Sequence, residues 1–155
     1  THAHFDHFLA SGAMKQATGA ALCLHPDDLP LWDILEMQCR MFGVPYVPVP
    51  QPDYWLKDEE RVAVGEMEGV ALHTPGHTPG SMCFHFPAAK LLVAGDTLFR
   101  GGIGRTDLWG GDFDAIEQSI RERLYTLDAD TAVVTGHGAE TEIGLERETN
   151  SFVRA

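Results

Sequence analysis

The spacing of apolar residues changes along the chain, and the change separates a helical first third from a strand-rich remainder. Apolar residues recur every three or four positions in segments 8–18 and 26–41, which predicts two helices. Gly19 follows the first segment as a C-terminal stop, and a Pro-Asp-Asp sequence opens the second. The apolar face predicted for the second helix consists of Leu29, Trp32, Ile34, Leu35 and Met41.

The segments around these helices carry other signals. The run 20–24 is short and apolar, which predicts a buried strand. Prolines occupy positions 45, 48, 50 and 52, and proline is excluded from a helix interior because it lacks a backbone N–H. Segment 43–52 is therefore predicted to be an extended surface segment.

From residue 61 onward the apolar residues alternate with polar ones, as in strands that bury one face. Four successive strands are predicted, marked by Val62 and Val64, by Val70 and Leu72, by Met82, Phe84 and Phe86, and by residues 91–94. A helix over 114–127, with Asp112 or Asp114 as its N-cap, precedes a buried strand over 131–135 and a closing helix over 144–152. The fold class predicted from this order is α/β (α+β).

Length, composition and charge restrict the class of protein. The 155 residues are enough for one domain, 1–155, and 44% of them are hydrophobic, so a sizeable core is expected. The net charge of -12 repels nucleic acid and anionic membranes. No apolar run approaches the roughly 20 residues that cross a bilayer. We therefore expect a cytoplasmic protein whose partners include neither nucleic acid nor membrane.

The cysteines indicate the same compartment. Cys23, Cys39 and Cys83 are odd in number and form no C-x-x-C pair, so the sequence suggests neither a disulfide framework nor a thiolate zinc site. We expect three buried free thiols in a reducing environment.

The candidate chemistry begins at the first residue. The segment THAHFDH holds three histidines and a carboxylate within seven positions, and imidazole is the commonest ligand of transition metals. Three further candidates lie downstream in turns bounded by glycine or proline. The resulting seven donors are His2, His4, Asp6, His7, His77, Asp96 and His137. Seven donors are too many for one four-coordinate zinc ion and suit two metals that share a bridging carboxylate.

The segments THAHFDH, TPGHTPGS, GDTLF and GHG, in this order, resemble the metallo-β-lactamase superfamily and specifically its glyoxalase II-like thioesterase branch in the short form. The resemblance implies a four-layer αββα sandwich in which a sheet and a helix precede the histidine loop. This chain starts at that loop, so we expect a partial sequence that lacks the N-terminal sheet portion. Exposed apolar surface and unpaired strand edges would follow.

The resemblance also implies a role for each donor. His2, His4 and His77 would bind the first metal, Asp6, His7 and His137 the second, and Asp96 would bridge both, which makes Asp6 and Asp96 the candidate catalytic carboxylates. A water or hydroxide shared by the two ions would attack a thioester carbonyl. The implied cofactors are two divalent ions, zinc first, with iron or manganese also suited to imidazole and carboxylate.

A glycine-rich stretch, 100–107, supplies the candidate substrate contact. Its glycines permit close approach of backbone to the site, and Arg105 offers a guanidinium that suits a carboxylate. In glyoxalase II relatives a basic residue at the matching place contacts glutathione, so Arg105 is the substrate-binding candidate. Its alternative role is an ion pair with Asp107.

Other polar residues near these motifs are expected to play supporting roles. Thr78 and Ser81 either hydrogen-bond to His77 or cap its turn. Three histidines fall outside the matched positions and are assigned to the surface, to support of the ligands or to strand packing: His25, His73 and His85.

The leading hypothesis is a binuclear hydrolase of small-molecule thioesters, of the S-lactoylglutathione kind. The alternative is a persulfide dioxygenase of the same superfamily, in which His2, His77 and Asp96 would hold one iron. A β-lactamase is disfavoured, because those enzymes carry cysteine or a different ligand set at the position of Asp96. A partial chain that binds metal poorly is the non-catalytic alternative.

Overall fold

A six-stranded mixed sheet lies at the centre of the protein, for which a computed structural model describes residues 1–154. The strands of this sheet are β3 (Arg61–Val64), β4 (Met67–His73), β5 (Met82–Phe86), β6 (Leu91–Gly95), β9 (Ala132–Thr135) and β10 (Thr141–Glu142). Their spatial order is β10-β9-β6-β5-β4-β3. Only β6 and β9 are parallel neighbours, and the other pairs are antiparallel.

Two small strand pairs accompany this sheet. β1 (Cys23–Leu24) and β2 (Tyr54–Trp55) are parallel, while β7 (Leu98–Phe99) and β8 (Gly102–Ile103) form an antiparallel hairpin. The helices are α1 (Phe5–Phe8), α2 (Ser11–Thr18), α3 (Leu29–Asp33), α4 (Leu35–Phe42), α5 (Phe113–Ser119) and α6 (Ile143–Thr149). A 3-10 turn, Pro26–Asp28, precedes α3, and a π-helical turn, Ile120–Leu124, extends α5.

The two faces of the sheet bury different layers. One face packs against α5, its π turn and α6, and this core includes Cys83, Leu92, Val133, Ile116, Ile120 and Ile143. On the other face, Ala71 and Met82 pack against Leu56, next to the β1–β2 pair. A third cluster joins α1, α3 and α4 through Phe8, Leu31 and Leu35. The alternating strand pattern therefore has a layer to bury on each side, and the predicted α/β class is confirmed.

The predicted strands from residue 61 to 95 are confirmed, but the predicted helices are interrupted. The helix predicted over 8–18 is wrong at its start, because the chain forms α1 and then α2 with a break at Leu9 and Ala10. Its end is correct, since Gly19 adopts the left-handed φ of 71° that favours glycine. The helix predicted over 26–41 breaks at Ile34, whose φ of -105° and ψ of 18° are not helical.

Burial corrects the predicted face of that second helix. Leu31 and Leu35 are buried, but Leu29 and Met41 are exposed. The periodicity identified an amphipathic segment, yet the break at Ile34 rotates the apolar stripe, so that Met41 leaves the core.

The later elements differ from expectation mainly at their ends. The strand predicted over 20–24 is limited to β1, and the strand predicted over 131–135 starts one residue later as β9. The helix predicted over 114–127 starts one residue earlier as α5 and continues as the π turn, with the Asp112 carboxylate accepting a hydrogen bond of 3.0 Å from the N–H of Ala115. The closing helix predicted over 144–152 is α6, three residues shorter at its end.

The remaining expectations concern thiols and exposed surface. Cys39 and Cys83 are buried free thiols as expected, whereas Cys23 is only partly buried. Val64 at the end of the edge strand β3 and Met67 at the start of β4 are exposed apolar residues. Within residues 1–154, no helix has the length and apolar character needed to cross a membrane.

Candidate metal centre

The topology of the sheet brings the seven candidate donors together at one end of its strands. His77 lies in the turn that joins β4 to β5, Asp96 follows β6, and His137 follows β9. Because β6 and β9 are parallel neighbours, the residues after them emerge side by side. The histidine loop at residues 2–7 lies over the same end, where the N–H of Met82 donates a hydrogen bond of 2.9 Å to the carbonyl of Thr1.

The first group of donors is buried. The ligand atoms of His2, His4 and His77 all lie within 4.8 Å of one another. His4 Nδ1 is 3.0 Å from His77 Nε2, and the two rings are nearly perpendicular, at 86°. Two nitrogens that bind one zinc ion tetrahedrally at about 2.0–2.1 Å would be about 3.3 Å apart, so this spacing fits a shared cation.

The second group lies nearer to solvent. Asp6, His7 and His137 place their ligand atoms within the same 4.8 Å limit. His7 Nε2 is 3.0 Å from His137 Nε2, and His137 Nε2 is 3.2 Å from Asp6 Oδ2. The His137 side chain is 55% exposed. This group is therefore more exposed than the first.

Asp96 lies between the two groups. Its Oδ2 is 3.5 Å from His77 Nε2 in the first group and 3.4 Å from His137 Nε2 in the second. Its Oδ1 is 3.3 Å from His7 Nε2. Burial alone would raise the pKa of Asp96, but the neighbouring imidazoles of His7, His77 and His137 bring that pKa below its ordinary value. The carboxylate is thus held anionic at the junction of the groups.

The protonation and bonding of these groups fit metal ions. Burial is the main cause that lowers the pKa of His2 well below its ordinary value and the pKa of His4 to about 4, and it also lowers the pKa of His77. Neutral imidazoles are the form that binds metal. His2 Nε2 and Asp96 Oδ1 are buried without a hydrogen-bond partner among residues 1–154. Unpaired buried polar atoms are costly, and metal ions between the groups would satisfy them.

Two glycines allow the backbone to approach Asp96. A Cβ on Gly136 would lie 2.0 Å from Asp96 Oδ1 and 2.8 Å from His7 Cε1. A Cβ on Gly104 would lie 1.8 Å from the Asp96 carbonyl oxygen and 3.1 Å from His77 Cβ. Any side chain would displace a candidate ligand, so the expected close approach of segment 100–107 is confirmed at Gly104.

Two buried polar residues, which the sequence analysis did not assign to the site, hold the ligand loops. Asp28 accepts hydrogen bonds from the N–H of Ala3 at 2.8 Å and the N–H of Gly80 at 2.6 Å. Gln38 Nε2 donates to the carbonyl of Ala3 at 3.2 Å, and its Oε1 accepts from the N–H of Phe5 at 3.1 Å. In the sequence, Asp28 is part of an ordinary helix-start pattern and Gln38 is a polar residue of an amphipathic helix. No local signal therefore marks either residue as a support of the metal site.

The hydrogen bonds around His77 distinguish the two roles expected of Thr78 and Ser81. The partner of His77 Nδ1 is the carbonyl of Arg105, at 2.8 Å, and neither Thr78 nor Ser81 contacts the ring through a hydrogen bond. Thr78 Oγ1 instead donates to Asp28 at 3.0 Å, so these hydroxyls hold the turn and not the imidazole. Donation from Nδ1 leaves the Nε2 lone pair of His77 facing the cluster.

The Arg105 side chain adopts the role named as its alternative. Its Nε and NH2 donate to the two carboxylate oxygens of Asp107 at 2.7 and 2.8 Å. This bidentate pair holds the pKa of Asp107 at about 2. Arg105 also lines the cavity beside the donors, so its backbone supports His77 while its guanidinium is held by a neighbour.

That cavity has a volume of about 510 Å³ and is the main concavity at the donor cluster. Candidate ligands from both groups line it, including His4, Asp6, His77, Asp96 and His137. The rest of its wall is largely apolar and comes from α3, α4 and the segment that follows β7. Tyr46, Tyr54 and Trp55 are partly exposed elsewhere and do not line it.

The three remaining histidines lie apart from this cluster. His25 and His73 stack with ring centroids 4.0 Å apart and planes within 13°, and Asp27 lies close enough to form a further group of donor atoms with them. The nitrogen lone pairs of two parallel rings lie in parallel planes and do not converge on one ion. We therefore assign His25 and His73 a packing role and not a metal-binding one. His85 lies half-buried on β5.

A mixed sheet with histidine and aspartate donors at its strand ends defines the metallo-hydrolase class. The profile of the Metallo-beta-lactamase superfamily matches residues 1–137, and the chain belongs to that superfamily. Its members typically bind two metal ions, and the fold predicted from the motifs is confirmed.

Three comparisons describe proteins that this chain is similar to. "Hydroxyacylglutathione hydrolase GloC" of Haemophilus influenzae is 37% identical over 159 residues, a match that covers 100% of this chain and 74% of GloC. The structure of TTHA1623 in a di-iron-bound form is 40% identical with a TM-score of 0.90, covering 99% of this chain and 75% of that one. BLEG-1, described as a B3 metallo-beta-lactamase, is 35% identical with a TM-score of 0.90 and the same coverage.

Proposed function

We propose that the protein is a binuclear metal-dependent hydrolase of thioesters, acting on S-acylglutathiones of the S-lactoylglutathione kind. The observation that carries the proposal is the position of Asp96, whose Oδ2 is 3.5 Å from His77 Nε2 and 3.4 Å from His137 Nε2. A carboxylate between two imidazole groups suits two cations that share a ligand.

The proposed ligand sets follow the two groups. His2, His4 and His77 would hold one ion, Asp6, His7 and His137 the other, and Asp96 would contact both. When bound, the ions supply Lewis acidity that polarises a carbonyl and activates water at neutral pH. We propose zinc as the resident metal, with iron as the alternative, since imidazole and carboxylate suit both and TTHA1623 was solved with iron.

The protein's own residues orient this centre. The backbone carbonyl of Arg105 accepts a hydrogen bond from the Nδ1–H of His77, which fixes the ring tautomer. Asp28 joins the loops that carry His4 and His77. No side-chain nucleophile is needed in this proposal, and the thiolate leaving group needs little acid assistance.

The proposed substrate class rests on the relative named as a hydroxyacylglutathione hydrolase. Arg105 is the candidate contact for a glutathione carboxylate, and its bidentate bond to Asp107 would have to be shared or exchanged when substrate binds. The three free thiols favour a reducing compartment, so we propose a cytoplasmic location. Neither nucleic acid nor membrane is part of the proposal.

Metal content measured by elemental analysis, together with S-lactoylglutathione hydrolysis, tests the function. We expect close to two ions per chain, and a loss of turnover of at least about 100-fold in Asp96→Ala. Asp130→Ala is the matched control, because Asp130 is an exposed carboxylate paired with Lys90, away from the donors.

Three outcomes would contradict the proposal. One iron per chain with oxygen uptake on glutathione persulfide would indicate the dioxygenase, for which His2, His77 and Asp96 are the expected triad. Hydrolysis is preferred because the segment GHG at 136–138, followed by TEIG at 141–144, resembles the short glyoxalase II pattern. Cleavage of a β-lactam without thioester cleavage would indicate the activity in the description of BLEG-1. Absence of bound metal after reconstitution would indicate the non-catalytic alternative, a chain that does not bind metal.

A further inference from the structure

The cavity at the candidate metal centre has an apolar wall that the proposed chemistry does not require. We infer that this wall binds a large apolar acyl group, so that thioesters of medium-chain or aromatic acids are preferred over those of the small, hydroxylated lactoyl group. The inference rests on the proposed thioester hydrolysis and specifies its substrate class.

One side of the cavity is formed by α4 and the residue before it. The residues that line it are Ile34, Met37, Gln38, Met41 and Phe42. Their spacing of i, i+3, i+4, i+7 and i+8 defines one continuous helix face. Met37, Met41 and Phe42 are 50%, 73% and 53% exposed, although such side chains are normally buried. This face is therefore apolar and accessible at the site.

Another part of the wall comes from the β7–β8 hairpin and the loop after it. Phe99, Ile103, Leu108 and Trp109 line the cavity there, and Trp109 is 57% exposed. These two parts of the wall line a volume of about 510 Å³, which lies within the range of small-molecule sites. A lactoyl group would leave most of this volume to water.

The apolar wall is joined directly to the candidate ligands. The Phe42 ring stacks on the Phe5 ring with centroids 5.0 Å apart, and Phe5 lies between His4 and Asp6 in the histidine loop. Ligands from both donor groups line the same cavity. A molecule whose carbonyl lies at the donors would thus place its adjoining group against α4, which identifies the occupant as part of the substrate.

Charge identifies which part of the thioester occupies the wall. Glutathione carries two carboxylates and one ammonium group, whereas Arg105 is the only lysine or arginine among the lining residues that the structure describes. That guanidinium is already paired with Asp107, and the net charge of the chain is -12. The apolar wall therefore suits the acyl group, and the thiol part would extend towards solvent. Methionine side chains adapt to ligands of different shape, so several acyl groups would be accepted.

Binding of thioethers that cannot be hydrolysed tests the inference apart from catalysis. S-hexylglutathione and S-methylglutathione differ only in apolar length, and their dissociation constants can be measured by isothermal titration calorimetry, with and without added zinc. Each methylene removed from water tightens binding about two- to fourfold, so we expect the hexyl compound to bind at least about tenfold more tightly. Equal affinities would overturn the inference.

A double variant, Met37→Ser with Met41→Ser, tests the wall itself. Both side chains are exposed, so the fold should tolerate the change. The hexyl preference is the ratio of the dissociation constant of S-methylglutathione to that of S-hexylglutathione. We expect this ratio to fall at least about threefold while metal content is unchanged. The matched control is Met14→Ser, because Met14 is 59% exposed on α2 and does not line the cavity. An unchanged preference in the double variant would contradict the inference.

Kinetics separate this inference from the proposed function. We expect kcat/KM to rise at least about tenfold from S-lactoylglutathione to S-hexanoylglutathione or S-benzoylglutathione. Equal values would overturn the acyl preference and retain the hydrolase. Retained hexyl binding with no thioester cleavage would overturn the hydrolase, and the substrate assignment with it. A dimer that the double variant dissociates, with no change in hexyl preference, would identify the apolar face as a self-association surface and overturn the inference.

Discussion

The carboxylate of Asp28 accepts a hydrogen bond of 2.8 Å from the backbone N–H of Ala3, which lies between two histidines of the ligand loop. The same oxygen accepts from Thr78 Oγ1 at 3.0 Å, and the other oxygen accepts from the N–H of Gly80 at 2.6 Å. Thr78 and Gly80 belong to the turn that carries His77. One buried carboxylate thus joins the two loops that deliver the first donor group.

Replacing Asp28 with asparagine should weaken both the fold and the metal site. The amide nitrogen of Asn would face an N–H or O–H donor, leaving at least one buried donor unpaired at a cost of about 1–3 kcal/mol. We expect a fall of that size in the free energy of unfolding, measured in urea, and fewer metal ions per chain. Asp27→Asn is the control, because the Asp27 side chain is 57% exposed. Equal effects of the two variants would contradict the assigned role.

Gly136 is predicted to be required for metal binding. In Gly136→Ala the new methyl group would lie 2.0 Å from Asp96 Oδ1, so either the carboxylate or the backbone must move. We expect metal content measured by elemental analysis to fall below one ion per chain. In the control, Gly102→Ala, the nearest atom is 3.9 Å from the added Cβ, and metal content should be unchanged.

A buried glutamate is predicted to hold the β7–β8 hairpin. Glu146 accepts hydrogen bonds from Thr141 Oγ1 at 2.6 Å, the N–H of Gly101 at 2.8 Å and Asn150 Nδ2 at 2.8 Å. Glu146→Gln places an amide against one of these donors, so we expect a loss of about 1–3 kcal/mol in the free energy of unfolding. Hydrogen exchange at Gly101 should accelerate. The exposed neighbour provides the control, and Glu148→Gln should leave both measurements unchanged.

Tyr125 is predicted to reduce stability at alkaline pH. Burial and then the charge of Glu146 raise the pKa of Tyr125 to about 12, although Arg121 and Arg147 oppose the shift. Between about pH 10, where the unfolded tyrosine ionises, and about pH 12, only the unfolded state releases the proton, so stability falls as pH rises. Denaturant unfolding at pH 8, 10 and 11 measures this slope.

A phenylalanine variant isolates the tyrosine contribution. Tyr125→Phe removes the ionisation, and we expect the decline above pH 10 to become shallower, even though the variant loses the hydrogen bonds to the carbonyls of Glu146 and Val153. Tyr46→Phe is the control, because Tyr46 is 39% exposed. A decline of the same slope in Tyr125→Phe would assign the alkaline loss to other groups.

Local signals in the sequence were sufficient to predict the strands from residue 61 to 95, an N-cap at Asp112 or Asp114 and the stop at Gly19, because period-2 alternation, capping and glycine act over a few residues. It also identified the seven candidate donors, because histidines at such density have few structural explanations. The superfamily could be predicted from the sequence because its motifs are short, continuous segments of chain.

Contacts between distant segments could not be predicted from local patterns. The break at Ile34, the contact of Asp28 with two loops and the pairing of Arg105 with Asp107 depend on groups that local periodicity does not report. The exposed face of α4 is the clearest case. Methionine and phenylalanine at helical spacing predict a core, and the packing of Phe42 on Phe5 places that face at the cavity instead. Burial is a property of the assembled layers, so the same apolar pattern serves either a core or a binding wall.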